Sequence, residues 1–457
     1  MPAPAAPRAR PVRTSLVHLG CARNLVDSEV ILGRLAEGGC VVCADPDDAE
    51  VAVLNTCAFI GPAREESREA IRDLVRRKRR GRLRALVVVG CLPERIGAAL
   101  VEEFPEVDAF APLSDYAEIA SLVRRVAGGR PGPRFLDAGR PKGAESDRIR
   151  LLSTPRSYAY LRLAEGCDHA CSFCAIPGMR GKMRSKPLET IEAEARDLAA
   201  LGVRELVLVA EDSTGYGRDL YGRSRLADAI ERAAGVGGVG WVRVMYAYPN
   251  AFPWEIARVL RENPRVVEYL DIPIQHIADG VLRAMRRASS GDAVRGILSR
   301  LREEVPGIAL RTTLLVGFPG ETEGDFARLL DFVQEFRFER LGAFAYSPEE
   351  GTAAFEVRAD VPAEVAEARR AAILEAQREI MRARNASLVG ADLEVLVDGP
   401  APGGGVLGRT RADAPEVDGT VRLAGGSAEA GEFVRARIVG VDPSGYDLRA
   451  EAVEVCR

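Results

Sequence analysis

The chain has 457 residues, which is too many for one ordinary hydrophobic core, so we expect two to four domains. Hydrophobic residues make up 47% and charged residues 28%, and the net charge of −4 favours neither nucleic acid nor a membrane surface as a partner of the whole molecule. The longest apolar runs, such as ALVVVG and ELVLVA, are strand-length, so we predict no membrane span.

The N-terminal segment MPAPAAPRARPVR is rich in Pro, Ala and Arg and lacks the apolar core of a signal peptide. We therefore interpret residues 1–13 as a disordered tail of a cytoplasmic protein. Disulfides are rare in that compartment, so the nine cysteines of the chain need another explanation.

Residues 14–126 alternate short apolar runs (TSLVHLG, AEVAVLN, ALVVVG) with helical stretches such as NLVDSEVILGRLAEGG. This alternation predicts an N-terminal domain built on a parallel α/β sheet. Residues 127–152 are dense in Gly and Pro, which is typical of a linker between domains.

Residues 153–384 contain about six strand-helix units, beginning with YAYLRLAEG and ending with RLGAFAYSP and a long charged helix. They predict a central partial (β/α) barrel whose chemistry lies at the carboxyl ends of its strands. Residues 385–457 change to short alternating runs broken by Gly and Pro, which predicts a small all-β barrel. The predicted fold class is thus a multidomain α/β protein with a C-terminal β-barrel.

The stretch AEGCDHACSFCAIPG places Cys167, Cys171 and Cys174 in the spacing C-x3-C-x2-C, just after the first strand of the central domain. Three unrelated buried thiols or a zinc knuckle are the alternatives, but zinc needs a fourth ligand and His169 is crowded between two of the cysteines. An iron-sulfur cube accounts better for three thiolates, because its fourth iron stays open for a substrate or cofactor.

The cysteine motif after a first barrel strand resembles the radical S-adenosylmethionine (SAM) superfamily. The resemblance implies that SAM chelates the open iron and is cleaved by one electron to a 5′-deoxyadenosyl radical. It further implies that the ring of Phe173 lies against the adenine.

Three later segments extend this resemblance. VAEDSTGYG, at the end of the second strand, implies Glu211, Asp212 and Ser213 near the SAM amino group, although a polar strand end followed by a helix cap is a common alternative. RTTLLVGFPGETE is similar to the later glycine motif, and DIPIQHI places Gln275 and His276 at a strand end where either could line the SAM pocket. The glycine motif implies cofactor contacts at Arg311, Gly317 and Gly320.

Cys21, Cys57 and Cys91 have no short spacing, but each directly follows an apolar run: SLVHLGC, VAVLNTC and LVVVGC. Successive strands of a parallel sheet end at the same edge, so three loops can deliver three thiolates to one point and hold a second open cluster. Coincidence of three buried cysteines is the alternative. The remaining cysteines do not share this placement, and we interpret them as strand or core residues (Cys40, Cys43) and a terminal thiol (Cys456).

The segments LGCARNLVDSE, NTCAFI and VVVGCLPER resemble the N-terminal domain of the methylthiotransferases, a radical SAM family with two 4Fe-4S clusters, and the final barrel is similar to the TRAM module. Within that family, CARNLVDSE, IPGMRGKMRSKP, YLDIPIQH, AYSPEEGT and DAPEVDG resemble the RimO branch. CARN departs slightly from the CPKN form common in that branch, and the change touches no ligand.

This resemblance implies that the β-carbon of an aspartate in small-subunit ribosomal protein number twelve receives a methylthio group. Such a carbon is saturated and unactivated, so only a strong hydrogen-abstracting radical supplied by a cofactor can react there. The resemblance implies two uses of SAM. One methylates a sulfur carried on the cluster of Cys21, Cys57 and Cys91, and the other yields the radical at the cluster of Cys167, Cys171 and Cys174.

The charge of the C-terminal barrel bears on the substrate. Residues 386–457 hold twelve acidic residues against seven arginines and no lysine, a net of −5, which suits a basic ribosomal protein better than RNA. Asp413, Glu416 and Asp418 in the loop RADAPEVDGT are candidate substrate contacts, with an ordinary solvated acidic turn as the alternative. The basic run RRKRRGRLR, residues 76–84, could touch ribosomal RNA, but the charged end of a helix is the simpler interpretation.

Two alternative functions stay open at this point: a transfer-RNA adenosine methylthiotransferase, and a non-catalytic metal-binding module that binds RNA. The expected partners are ribosomal protein number twelve, free or in the subunit, and an electron donor such as a flavodoxin or ferredoxin. We expect a monomer with no membrane partner.

Overall fold

A computed structural model describes residues 10–113, 116–130, 132–136, 147–357, 360–424 and 428–456 of the protein. Most of the expected tail, residues 1–9, and much of the expected linker, residues 131 and 137–146, therefore lie outside the described residues. The chain divides into two compact units. Unit 1 comprises Met1–Leu151 and Gly178–Arg180, and unit 2 comprises Leu152–Pro177 and Gly181–Arg457.

Unit 1 is built on a five-stranded parallel sheet with the order β2-β1-β3-β4-β5. Its strands are β1 (Arg13–His18), β2 (Val41–Cys43), β3 (Val51–Thr56), β4 (Ala85–Gly90) and β5 (Ala109–Ala111). Its helices are α1 (Ala22–Glu37), α2 (Gly61–Arg79), α3 (Cys91–Ile96), α4 (Leu100–Glu103) and α5 (Ile119–Ala127), with 3-10 turns at Pro46–Asp48 and Gly97–Ala99.

The central strands β3 and β4 are buried at every residue. Continuous apolar runs such as ALVVVG have this burial because helices cover both faces of a parallel sheet. The basic run ends helix α2, where cations interact favourably with the helix dipole. Arg76, Arg77, Lys78 and Arg79 each form an ion pair with a nearby carboxylate, as does Arg82. The structure therefore agrees with the simpler interpretation of this run, a basic helix end in which most of the charges form ion pairs.

Unit 2 begins with a six-stranded parallel sheet with the order β13-β12-β11-β10-β9-β6, and an antiparallel hairpin, β7-β8, follows the first strand. Its strands are β6 (Tyr158–Arg162), β7 (Ala164–Glu165), β8 (Arg184–Ser185), β9 (Glu205–Val209), β10 (Trp241–Val244), β11 (Val266–Asp271), β12 (Ala309–Val316) and β13 (Arg340–Ala345).

Helices connect these strands, as a parallel sheet requires. They are α6 (Ile176–Arg180), α7 (Leu188–Ala200), α8 (Arg218–Tyr221), α9 (Leu226–Gly235), α10 (Glu255–Glu262), α11 (Asp279–Ala284), α12 (Gly291–Glu304), α13 (Glu323–Phe336) and α14 (Ala363–Ser387). Helix α13 starts with a capping box in which Thr322 and Asp325 each accept a hydrogen bond from the other's backbone N–H, so the chain leaves strand β12 in a defined turn. The predicted partial (β/α) barrel is confirmed.

The last strands form a closed five-stranded barrel with the order β14-β15-β16-β18-β17, which confirms the predicted small β-barrel. The strands are β14 (Asp392–Pro400), β15 (Val406–Arg409), β16 (Val421–Ala424), β17 (Phe433–Val441) and β18 (Leu448–Cys456). Its core contains small and branched side chains, among them Val395, Val421, Val434 and Ile438.

Buried ion pairs fasten this barrel to the parallel sheet within unit 2. Glu205, at the start of β9, receives hydrogen bonds from Arg243 of β10 (2.7 Å) and Arg409 of β15 (2.6 Å), and all three side chains are at most 2% exposed. Arg340 of β13 donates to Asp413 (2.9 Å from Nε to Oδ1), and both side chains are buried. The small barrel therefore packs on the amino-terminal half of the sheet through charge pairs that water does not screen.

The acidic loop RADAPEVDGT takes part in this packing, which changes the interpretation of its carboxylates. Asp418 accepts a hydrogen bond from the Tyr269 hydroxyl (2.7 Å), and Glu416 accepts from the hydroxyls of Tyr158 (3.0 Å) and Tyr160 (2.9 Å). The side chains of Asp413 and Asp418 are 3% and 2% exposed. The oxygens of Asp413 and Asp418 are already bonded inside unit 2, and a substrate contact by either residue remains a prediction.

Within the part of the chain that the structure describes, no helix is long and apolar enough to cross a bilayer.

Candidate functional site

Three free cysteines of unit 1 lie where strands of its sheet end. Cys21 immediately precedes helix α1, Cys57 follows the last residue of β3, and Cys91 is the first residue of α3, directly after β4. Because β1, β3 and β4 are adjacent and parallel, their carboxyl ends bring the three loops to the same edge of the sheet. The expected grouping of Cys21, Cys57 and Cys91 requires β1, β3 and β4 to be neighbours, and the observed strand order has them so.

Two glycines allow these loops to touch. Gly20 has φ of +107°, and a Cβ there would lie 2.9 Å from the Cβ of Cys57. Gly90 has φ of +97°, and its Cβ would lie 2.2 Å from Oδ1 of Asn55, so neither position accepts a side chain. The Asn55 amide in turn donates to the carbonyl of Asn24 at the start of α1 (3.0 Å). Backbone and amide contacts thus hold the three loops together.

A buried arginine lies beside these thiols. The Arg180 side chain is 1% exposed, and it donates to Asp27 (3.1 Å) and to the sulfur of Cys91 (3.7 Å). Burial opposes ionisation of Cys21, but nearby guanidinium groups outweigh it and lower the pKa of that thiol. Burial, which outweighs the opposing charge of Arg180, raises the pKa of Cys91 to about 11, with a smaller contribution in the same direction from Cys21 and Cys57. The set therefore has a fixed cation that favours thiolates.

The other cysteines lie elsewhere. Cys40 is buried just before β2, and Cys43 ends β2, where it pairs in register with Ser15 in the first half of β1 rather than with the end of that strand. Cys456 is the last residue of β18, and its side chain is not described.

The second cysteine set occupies a loop of unit 2 that follows strands β6 and β7. Gly166, with φ of +79°, lets the chain turn into this loop, and a Cβ there would lie 2.3 Å from the carbonyl oxygen of Lys182. The Cys167 N–H donates to the carbonyl of Gly181 (3.0 Å), so the loop begins as part of the β7-β8 hairpin. The first thiol is therefore fixed by the sheet, and only glycine serves at residue 166.

The rest of the loop is held by a turn and by its neighbours. The Cys174 N–H donates to the carbonyl of Cys171 (3.1 Å), which closes a turn around the second and third thiols. Between them, the Ser172 N–H donates to the carbonyl of Met285 (3.0 Å) and its hydroxyl to that of Ala284 (2.7 Å). All three cysteines are half-buried, as a site open to a small molecule requires.

Polar side chains follow β9 beside this loop. Asp212 is buried, and its carboxylate accepts hydrogen bonds from the Thr214 hydroxyl (2.5 Å), the Gly215 N–H (3.0 Å) and the ring of His169 (2.8 Å). Burial opposes ionisation, yet these hydrogen bonds lower the pKa of Asp212 below its usual value. Ser213 is buried and donates to the Met245 carbonyl (2.6 Å).

Glu211 lies close to the first thiol. Burial is the main cause that raises the pKa of Cys167 to about 12, and the charges of Asp212 and Glu211 contribute in the same direction. The end of β9 therefore presents negative charge to the cysteine loop, which is the charge that attracts a SAM amino group.

Phe173 and Gln275 are also at this end of the sheet. The half-buried ring of Phe173 packs edge-on against Phe318, with 6.5 Å between ring centroids. Gln275 has a positive φ of 69°, its N–H donates to the Thr313 carbonyl (2.9 Å), and its own carbonyl accepts from the Leu315 N–H (2.8 Å). A non-glycine residue held in this conformation by strand contacts is a common feature of functional sites.

The glycines of the GFPGE segment have structural reasons of their own. Gly317 has φ of +74°, and a Cβ there would lie 2.3 Å from the Cβ of Ala366 in helix α14. Glu321 accepts hydrogen bonds from the N–H groups of Gly317 (2.6 Å) and Phe318 (3.3 Å). Gly320, by contrast, has open space around its would-be Cβ. Helix packing thus requires the first glycine, while the Gly320 N–H donates to Asp360 (2.9 Å).

Arg311 is not placed with these residues. Arg311 pairs in register with Asp271, whereas Gln275 pairs with Leu314, three residues further along β12. The two positions are therefore about 10 Å apart along the strand. The Arg311 guanidinium lies 3.0 Å from a carboxylate oxygen of Asp271 and 3.4 Å from one of Asp418. The structure therefore shows Arg311 joining the two barrels of unit 2, and a cofactor contact there remains a prediction.

Several residues at the two sites were not found from the sequence. They are Arg180 and Asp27 in unit 1 and Tyr248 and Arg287 in unit 2, and His169 was considered only as a zinc ligand. These contacts join residues 39 to 153 positions apart in the chain, so no local spacing signals them.

Within the described ranges, no group of three or more His, Cys, Asp or Glu side chains is arranged to hold a metal ion.

Family models match three parts of the chain. Residues 13–112 match an uncharacterized protein family, UPF0004, residues 161–333 match the radical SAM superfamily, and residues 389–453 match the TRAM domain.

Curated relatives match nearly the whole chain. A ribosomal protein uS12 methylthiotransferase RimO of Syntrophus aciditrophicus is 45% identical, and the match covers 97% of this chain and 99% of that protein. A protein of the same name from Anaeromyxobacter sp. is 47% identical over 96% of this chain and 93% of its own length.

Solved structures with a similar fold include the radical SAM methyltransferase TsrM of Kitasatospora setae, determined with cobalamin and a 4Fe-4S cluster bound. It has a TM-score of 0.51, is 16% identical, and the match covers 74% of this chain and 77% of that one. The cobalamin-dependent SAM radical enzyme OxsB also gives 0.51, at 12% identity, covering 80% of this chain and 56% of that one. These similarities show the fold alone.

Proposed function

The chain belongs to the RimO family of ribosomal protein uS12 methylthiotransferases, and we propose that it works with two 4Fe-4S clusters, one held by each set of three cysteines. It is a radical SAM enzyme that transfers a methylthio group to uS12 and uses an iron-sulfur cluster and SAM. We further propose that the group is added at the β-carbon of an aspartate of uS12.

One observation supports the two-cluster proposal above all others: each unit places three thiols in loops that follow strands, three loops of the parallel sheet in unit 1 and one loop after β6 and β7 in unit 2. Cys21, Cys57 and Cys91 do so in unit 1. Cys167, Cys171 and Cys174 do so in unit 2. Three thiolates fill three of four iron positions and leave one iron of each cluster open.

The residues around both sets fit an iron-sulfur cluster. N–H donors point at ligand sulfurs in each: Arg180 at Cys91 (3.7 Å), Arg287 at Cys171 (3.7 Å), and the His169 backbone at Cys167 (3.4 Å). Hydrogen bonds to cluster sulfurs are a known means of stabilising their negative charge.

When bound, the clusters and SAM supply the one-electron and radical chemistry by which a C–H bond is replaced by C–S–CH3. The chain's own residues hold and orient these groups. Asp212 and Glu211 present negative charge for the SAM amino group, the ring of Phe173 offers a flat apolar surface for the adenine, and Gly320 leaves open space where a side chain would stand.

The proposed partners follow from this assignment. Each SAM cleavage consumes one electron, so a one-electron donor such as a flavodoxin or ferredoxin is needed. We propose that the enzyme acts as a monomer in the cytoplasm.

The two-cluster proposal is tested by anaerobic reconstitution of three Cys→Ala variants. We expect Cys171→Ala to abolish SAM cleavage, and Cys57→Ala to retain cleavage but make no methylthiolated uS12. Cys43→Ala, which removes a free thiol of unit 1 away from the set, is the matched control and should retain both. Iron content, 5′-deoxyadenosine and the mass of uS12 are measured. Methylthiolated product from the Cys57 variant would exclude the second cluster, and modification of transfer RNA instead of uS12 would exclude the assigned substrate.

A further inference from the structure

A stack of three side chains lies beside the cysteine loop of unit 2. The rings of His169 and Tyr248 are nearly parallel, at 13°, with 3.7 Å between centroids. The guanidinium carbon of Arg287 lies 4.0 Å from the centroid of the Tyr248 ring. We name His169, Tyr248 and Arg287 the loop stack. Stacking of this kind fixes the orientation of a guanidinium that would otherwise rotate freely.

Both ends of the loop stack are anchored. At one end the His169 ring is bonded to Asp212 (2.8 Å), which is buried and itself held by Thr214 and Gly215. At the other end Nη2 of Arg287 donates to the carbonyl of Pro273 (2.6 Å). The guanidinium is therefore held between the stacked rings on one side and a backbone carbonyl on the other.

The loop stack reaches two of the three thiols. Nη1 of Arg287 donates to the sulfur of Cys171 (3.7 Å), and the backbone N–H of His169 donates to the sulfur of Cys167 (3.4 Å). Among the described residues no Asp or Glu forms an ion pair with Arg287. Other arginines of unit 2, by contrast, are paired with carboxylates, among them Arg243, Arg311, Arg340 and Arg409. The half-buried charge of Arg287 thus faces a π surface and a ligand sulfur.

We propose that Arg287, presented by His169 and Tyr248, is a positioning residue that raises the reduction potential of the cluster held by Cys167, Cys171 and Cys174. The inference rests on the proposed assignment of that cluster. Reduction adds one electron from the donor and no proton, so the reduced cluster is one unit more negative. A fixed cation and an N–H donor at a ligand sulfur stabilise that extra charge, more strongly in a partly buried site than in water.

The test is a redox titration of the reconstituted protein without SAM, followed by the electron paramagnetic resonance signal of the reduced cluster. Cys57→Ala serves as the background, so that only this cluster is observed. Arg287→Gln removes the charge and keeps an amide donor. We expect the ratio of reduced to oxidised cluster at a fixed potential to fall about tenfold, which is about 59 mV for a one-electron couple. Tyr248→Leu, which removes the stacking surface, should shift the ratio in the same direction.

Three variants serve as controls. Arg287→Lys keeps the charge and Tyr248→Phe keeps the ring, so both should titrate closer to the wild type than the paired Gln and Leu variants. Arg300→Gln removes a guanidinium stacked 3.6 Å over Trp254 elsewhere in unit 2 and should leave the titration unchanged.

The outcomes separate the two proposals. A background protein that loads no four-iron cluster overturns the proposed function. If the background protein loads its cluster, and Arg287→Gln and Tyr248→Leu in that background have the same reduction potential, the role of the loop stack is overturned and the proposed function is not. If Arg287→Gln fails to load a cluster, Tyr248→Leu decides the question by the same titration, because it leaves the arginine in the chain without its support.

Discussion

Replacing Asp413 by Asn tests whether the acidic loop holds the small barrel or contacts the substrate. The Asp413 side chain is 3% exposed and Oδ1 accepts from Nε of Arg340 (2.9 Å), whose side chain is 8% exposed. Oδ2 accepts from the Thr410 hydroxyl (2.5 Å). Asparagine keeps the size and can hydrogen-bond to Thr410, but it leaves the Arg340 charge buried without its carboxylate.

Breaking one side of a buried ion pair costs about 3–5 kcal/mol, because the remaining charge has lost its counter-ion and cannot be hydrated. A domain the size of unit 2 loses about 2 °C of melting temperature per kcal/mol, so we expect Asp413→Asn to melt about 6 °C or more below the wild type. Because the loop packs inside unit 2, the KM for uS12 should be unchanged at temperatures where the variant is folded.

The assay combines thermal melting with steady-state methylthiolation of uS12. Asp392→Asn is the matched control: it also removes a carboxylate bonded to arginines, but Arg435 and Arg437 are 58% exposed and remain hydrated, so its melting temperature should stay at the wild-type value. If Asp413→Asn melted with the wild type and its KM for uS12 rose several-fold, the interpretation of the loop as an internal anchor would be wrong.

Two further predictions concern the unit 2 site. Gly166→Ala should lose both iron binding at the unit 2 cysteines and SAM cleavage, because the backbone φ of +79° disfavours a side chain and the Cβ would overlap the Lys182 carbonyl. Gly178→Ala, whose Cβ would meet open space, should retain both properties, as measured by iron analysis and by 5′-deoxyadenosine formation. Burial lowers the pKa of His276 to about 4, so between pH 6.5 and pH 4 the unfolded chain binds a proton at this residue and the folded chain does not. The free energy of unfolding should therefore fall by about 3 kcal/mol as the pH is lowered over this range. His276→Asn should reduce this fall in urea titrations, and an unchanged fall would refute the role of His276.

The fold was predictable because its signals are local. The apolar runs before Cys57 and Cys91 are strands buried on both faces, and burial of that kind needs a parallel sheet covered by helices. The cysteine spacing around Cys167 and the strand-end positions of Cys21, Cys57 and Cys91 are likewise visible in short windows, since each thiol is tied to the strand before it.

The acidic loop shows where such reasoning stops. From its composition RADAPEVDGT could be a substrate contact or a solvated turn, yet Asp413 and Asp418 are buried against Arg340 and Tyr269. Whether a carboxylate faces solvent or a buried cation depends on which surface of another element lies against it, and the partners here are 73 and 149 residues away.

From the sequence alone come the three-part organisation, the two sets of three cysteines and the family resemblance, because each is signalled by short stretches of sequence, such as the spacing around Cys167 or the apolar run directly before each thiol of unit 1. Only the tertiary structure decides the surroundings of those thiols: Arg180 beside Cys91, and the stack of His169, Tyr248 and Arg287 beside Cys171. The physical reason is that the charge near a buried sulfur is set by distance in space and by exclusion of water, and packing of distant elements determines both.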